Sequence, residues 1–202
     1  IIINLRGKIS NFLVIFKSKK KILFLSLSAS LITINWTCFI FAVSINRIQD
    51  ASMGYYMTPM ISIMLGYFFL NEQITKLKFI SILMMFGSII FLIISLNTLP
   101  FLAVLIGVTW SFYGLLRKQI NVSSEIGLLY ESGFISLLAM PYLIFLNING
   151  TGFFLNHSFY TSIFLILTGL ITIFPLFFFN LGLKFIPLGF AGIIFFLAPS
   201  LH

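Results

Sequence analysis

Ile22–Val43 runs for 22 positions without a charged residue, directly behind Lys17, Lys19, Lys20 and Lys21. At 1.5 Å per residue such a run makes a helix of roughly 33 Å, enough to cross about 30 Å of hydrocarbon. Lipid offers no hydrogen bonds, so a stretch like this must satisfy its own backbone, and a helix does that within one segment. Lys and Arg beside the first spans stay in the cytoplasm, so the stretch is expected to start inside and end outside. The side of every later joint then follows by alternation.

The same pattern recurs along the chain. After the joint Ser44–Asp50 come Ala51–Leu70, Phe79–Leu96, Pro100–Leu116, Ile126–Leu146 and Phe159–Leu183, separated by short polar joints. Pro187–Leu201 is an unfinished run, and Ile1–Leu5 reads as the tail of an earlier one. A chain opening on Ile1 and stopping at His202 in this way is expected to be a fragment, with six complete crossings and a partial one at each end. Hydrophobic residues make up 60% of it and charged ones 8%, with mean hydropathy +1.14. A soluble domain carries about 25% charged residues, so the fold class is an all-α integral membrane bundle.

The net charge of +8 would suggest nucleic acid in a soluble protein, but here its placement decides. Joints expected inside hold Arg6, Lys8, Lys17, Lys19, Lys20, Lys21, Lys76, Lys78, Arg117, Lys118 and Lys184, against Arg47 alone outside. That bias fits a multi-pass protein of the inner (plasma) membrane with cytoplasmic basic loops, and no nucleic-acid partner is expected. Cys38 is the single cysteine, which excludes an intrachain disulfide, and His157 and His202 lack metal-ligand spacing. No nucleophile–base pair, phosphate loop or metal cluster stands out, so neither an enzyme nor a cofactor is expected.

A gapless shift of 140 residues lays Asn35–Pro59 over Pro175–Pro199, matching Phe39 with Phe179, Ala51 with Ala191 and Pro59 with Pro199. Five crossings separate the two copies, and an odd number inverts the second, a common ground plan of secondary transporters. Glu131 is the one acid within an expected span. A carboxylate there costs about 2.5–3.5 kcal/mol on insertion scales, so it is read either as binding a substrate amine or coupling proton, or as reaching the headgroups. Trp110 and Tyr113, three apart, share a helix face and would suit a cationic or aromatic solute; an interfacial belt is the other reading. Asn35 lies deep in its span, where its amide must brace a neighbouring helix or meet substrate. Pro59 and Pro175 lie mid-span and are either hinges or static bends. Ala103, Gly107 and Ser111 form a small-residue stripe for helix packing. Glu72 is expected to pair with Lys76, four residues on.

A set of pieces stands in order along the chain: Asn35-Trp36, Phe39-Ile40, Ala42-Val43, Ala51-Ser52-Met53-Gly54-Tyr55 with Pro59, Gly66, Phe69-Leu70 and Glu72, then Phe112-Tyr113-Gly114-Leu115 with Arg117-Lys118. Gly127-Leu128, Glu131, Gly169, Thr172, Pro175-Leu176, Pro187-Leu188, Gly192 and Pro199 complete them. In these residues the chain resembles the RarD group of the EamA, or drug/metabolite transporter, superfamily. The resemblance implies a ten-helix transporter built from two inverted five-helix repeats. Residues 1–96 would then be the first repeat, from the end of helix 2 to helix 5. Residues 97–202 would be the second, from helix 6 into a partial helix 9. It adds Trp36 and Tyr55 to the candidate substrate contacts and Pro199 to the hinges. The family's Gly ahead of the loop Glu is Asn71 here, and its Gln-Tyr pair is Phe195-Phe196. The implied function is outward secondary transport of a small organic solute by alternating access, without ATP. A non-transporting membrane scaffold or sensory module is the alternative. The expected partners are a small-molecule substrate, a coupling proton and the lipid bilayer, with monomer or homodimer left open.

Overall fold

The computed structural model describes residues 12–96, 100–154 and 158–195, and among these every regular element is helical. In chain order the helices are α1 (Lys19–Ser44), α2 (Ile48–Leu70), α3 (Lys76–Leu96), α4 (Phe101–Gln119), α5 (Ser124–Ile148), α6 (Phe159–Gly182) and α7 (Leu188–Phe195). The first six are long and apolar enough to cross a membrane, each on a run expected to span, so the protein is a multi-pass membrane bundle. Most of them extend two or three residues past the apolar runs, because helical hydrogen bonding continues into the polar flanks where burial in lipid stops.

Local chemistry sets the ends. Ser18 Oγ accepts from Lys21 N–H (3.4 Å) ahead of α1, and Ser158 Oγ accepts from Tyr160 N–H (3.3 Å) at the start of α6. Both are hydroxyl caps on otherwise orphaned donors. Asn46 (φ 58°) and Asn71 (φ 54°) flank α2 in the left-handed region, which Asn tolerates better than most side chains. Asn71 therefore stands where a glycine would be at ease, and the departure from the family pattern leaves the turn intact. Arg47 pairs with Asp50 (2.6 Å), placing a carboxylate in the first turn of α2, while Arg117 and Lys118 sit in the last turn of α4. Both placements complement the helix dipole.

The chain forms two compact units. The first is Ile1–Ala29 with Asn121–Leu181, and it holds the start of α1, α5 and nearly all of α6. Its packing includes a contact between Ser26 Oγ and Tyr130 Oη (3.0 Å) and the rings of Phe16 and Tyr130, with centroids 6.0 Å apart. The second is Ser30–Ile120 with Gly182–His202, and it holds the rest of α1 together with α2, α3, α4 and α7. Its centre is Ala42, Ala51 and Ile106, with Cys38, Phe39, Tyr55 and Leu102 packed around them.

Within the second unit α2 and α4 approach through small residues. A Cβ on Gly54 would lie 2.7 Å from the Ala103 carbonyl oxygen, and one on Gly107 would lie 2.8 Å from the Gly54 carbonyl oxygen. Ser62 Oγ donates to Ser111 Oγ (3.3 Å), which in turn lies 3.3 Å from the Thr58 carbonyl oxygen. The stripe Ala103, Gly107, Ser111 thus faces α2. Lipid supplies no hydrophobic drive for pairing helices, and close backbone approach with interhelical hydroxyl bonds takes its place. Glu72 does not rest on Lys76. Its carboxylate reaches Lys118 (3.8 Å) and the first turn of α7, contacts that cross helices and leave no trace in i, i+4 spacing.

Candidate functional site

The expected site residues divide between the units. Asn35, Trp36, Tyr55, Trp110 and Tyr113 fall in the second, and Glu131 in the first.

In the second unit Asn35 sits on α1, fully buried. Its Nδ2 donates to the Ile106 carbonyl oxygen (2.8 Å) and to Thr109 Oγ1 (3.0 Å) on α4. A carbonyl can only accept, so the amide's NH2 end is the one facing α4. Its Oδ1 is then turned elsewhere, buried and without a hydrogen-bond partner among the described residues. Leaving a buried acceptor unmet costs about 1–3 kcal/mol, so such an atom calls for an explanation.

One turn beyond Asn35 begins a run of rings. Phe39 meets Tyr55 at 6.0 Å between centroids, Tyr55 meets Trp110 edge-on at 6.4 Å, and Trp110 meets Tyr113 at 5.8 Å. These distances lie in the range where aromatic pairs attract beyond simple contact. Trp110 is 7% exposed and Tyr113 0%, so neither projects outward as an interfacial belt residue would. Tyr55 is half-buried, and so is Trp36 on α1. Three helices thereby set an amide acceptor and a wall of π faces in one unit.

In the first unit Glu131 on α5 is 3% exposed. Ser28 Oγ donates to Glu131 Oε1 (2.5 Å), and the Leu25 carbonyl oxygen lies 3.0 Å from the same hydroxyl. This carboxylate is held within the unit by a hydroxyl of α1. A hydroxyl partner can stay in place whether the carboxyl is charged or protonated, because it both donates and accepts.

Pro59 is buried in α2, Pro175 is exposed in α6, and Pro199 lies outside the described residues. A third interior proline, Pro141 in α5, went unremarked in the sequence although it too interrupts a helical ladder. Ser28 and Thr109 were also missed. The rule that singled out Asn35, that a polar group within a span needs a partner, applies to hydroxyls as well and would have found both.

Residues 1–94 match the EamA-like transporter family. Protein RarD of Streptomyces exfoliatus is 28% identical over 185 residues, which cover 92% of this chain and 59% of that protein. The uncharacterized transporter YojE of Bacillus subtilis is 33% identical over 186 residues, 92% of this chain and 61% of that protein. Protein RarD of Escherichia coli is 28% identical over 187 residues, 93% of this chain and 63% of that protein. The chain spans about three-fifths of the length of the curated relatives it matches. No solved structure matches it.

Proposed function

We propose that this chain, whose residues 1–94 match the EamA-like transporter family and which is similar to RarD proteins over nine-tenths of its length, serves outward transport of a small organic solute. The observation that carries the reading is the buried Oδ1 of Asn35, an acceptor without a partner among the described residues, on the helix that also bears Phe39. A solute N–H or O–H would meet it, and the faces of Tyr55 and Trp110 would take an aromatic or cationic body by stacking and cation–π contact. Transport is by alternating access, without nucleotide hydrolysis. The ground plan is the two inverted repeats divided near residue 96, with Pro59, Pro175 and Pro199 as hinges and the basic joints in the cytoplasm of a bacterial inner membrane.

Glu131 carries the coupling proton or receives a substrate amine, with Ser28 holding it in either state. Flux through liposomes containing the full-length protein, scored against a panel of amino acids and amphenicols, tests this. We expect nucleotide-independent flux of at least one amine-bearing or aromatic solute, lost in Glu131→Gln. Flux unchanged by that substitution in well-expressed protein ends the role of Glu131, and no flux of any solute ends the transport reading. Reporter tags at Lys118 and Gly150 test the orientation, since a common compartment for both would dissolve the inverted plan.

A further inference from the structure

α7 has no cap of its own. Pro187 precedes it and brings no side-chain acceptor, yet the helix needs partners for its first N–H groups. Those partners come from 116 residues away. Leu188 N–H donates to Glu72 Oε1 (2.6 Å), and Gly189 N–H, 117 residues from Glu72, donates to Glu72 Oε2 (3.3 Å). On the other side of Pro187, Lys118 Nζ donates to the carbonyl oxygens of Leu183 (3.1 Å) and Ile186. Lys118 Nζ also stands 3.8 Å from Glu72 Oε1. One carboxylate thus takes the positive end of α7, and one ammonium takes the carbonyls of the turn before it.

The surroundings are shaped for this reach. Asn71 turns the chain through its left-handed conformation, and Asn71 N–H and Glu72 N–H both fold back on the Gly66 carbonyl. A Cβ on Gly66 would lie 2.6 Å from Glu72 Oε2, so the carboxylate lies over bare backbone. Behind it, α7 meets α2 through Gly189 on Ile63 and Gly192 on Pro59 and Ser62. Such a seam has no long side chains locked across it at these points. Both charged side chains keep some contact with solvent, 15% for Glu72 and 20% for Lys118, so water can replace their partners.

We infer that Glu72 and Lys118 are positioning residues forming a releasable clamp, which holds α7 against α2 and opens to part the α2–α7 seam during transport. Its use in transport rests on the reading above; the clamp itself is read separately. The cap outweighs the ion pair, because two hydrogen bonds from backbone donors to a carboxylate are stronger than a partly solvated pair at 3.8 Å.

The test places a cysteine at Ser62, buried in the seam, in a Cys38→Ala background, and follows its rate of reaction with N-ethylmaleimide in membranes carrying the full-length protein. Ser162→Cys, buried in the first unit, reports general loosening. Glu72→Gln is expected to speed reaction at position 62 roughly tenfold, and Lys118→Met about threefold, with position 162 unchanged. The exchange Glu72→Lys with Lys118→Glu should stay open, because an ammonium repels the α7 N-terminus. Restored protection in the exchange, unchanged rates in both single variants, or an equal rise at position 162 each overturn the clamp. Faster reaction at position 62 with solute flux unaltered leaves the clamp standing and overturns its part in alternating access.

Discussion

α2 and α3 are joined by five residues and share one unit, yet they use their surfaces in opposite ways. α3 is among the most apolar of the six spans, and none of its described side chains is buried. α2 is less apolar, and it buries Gly54, Thr58, Pro59, Ser62 and Gly66 against its neighbours. In water the ranking would be reversed. In lipid the greasiest helix gains nothing by leaving the solvent, so partners are chosen by closeness of approach and by polar groups needing each other. Hydropathy here reports which helices lie in the membrane, and small and hydroxyl residues report which ones touch.

The sharpest way to break this contrast is a pair of glycine substitutions. Gly54→Leu drives a side chain into the Ala103 carbonyl, which as backbone cannot step aside, and should cost ~3 kcal/mol with loss of folded yield on detergent chromatography. A Cβ on Gly87 of α3 meets nothing within 4 Å among the described residues, so Gly87→Leu should leave yield and melting unchanged. If both collapse alike, the contrast is wrong. A middle-sized effect is expected at Asn35→Ala, which removes two interhelical bonds and should lower stability by about 1–2 kcal/mol in chemical unfolding. On α3, Ser88 bonds its own helix at Met84 and no other helix among the described residues, so Ser88→Ala is expected to stay within about 0.5 kcal/mol. A similarly small effect is expected at Leu83→Ala, at a position 55% exposed, again within about 0.5 kcal/mol. A loss of about 2 kcal/mol there would mean that something covers α3, and would sharpen the contrast into a search for that partner.

The spans were readable because charge and apolar length are local properties, and each of the six complete expected runs carries a helix. Glu131 stood out for the same reason, as a lone acid in an apolar run. What it touches was not readable, because Ser28 lies 103 positions away and only the rotation of α1 and α5 about their axes brings the two together. Glu72 shows the opposite error. Lys76, four residues on, offered a local partner, while the dipole of a helix 116 residues distant offered a better one. Asn35 was legible as a group in need, and the unmet Oδ1 was not, since which end of an amide is served depends on the acceptor opposite.

Gly66 carries a consequence of its own. Because only a hydrogen separates its α-carbon from the Glu72 carboxylate, a single methyl at this position would act as a wedge, prising the acid off α7 while leaving every ionisable group in place. The tightness of that end can therefore be tuned by bulk alone, independently of the charges that form the contact.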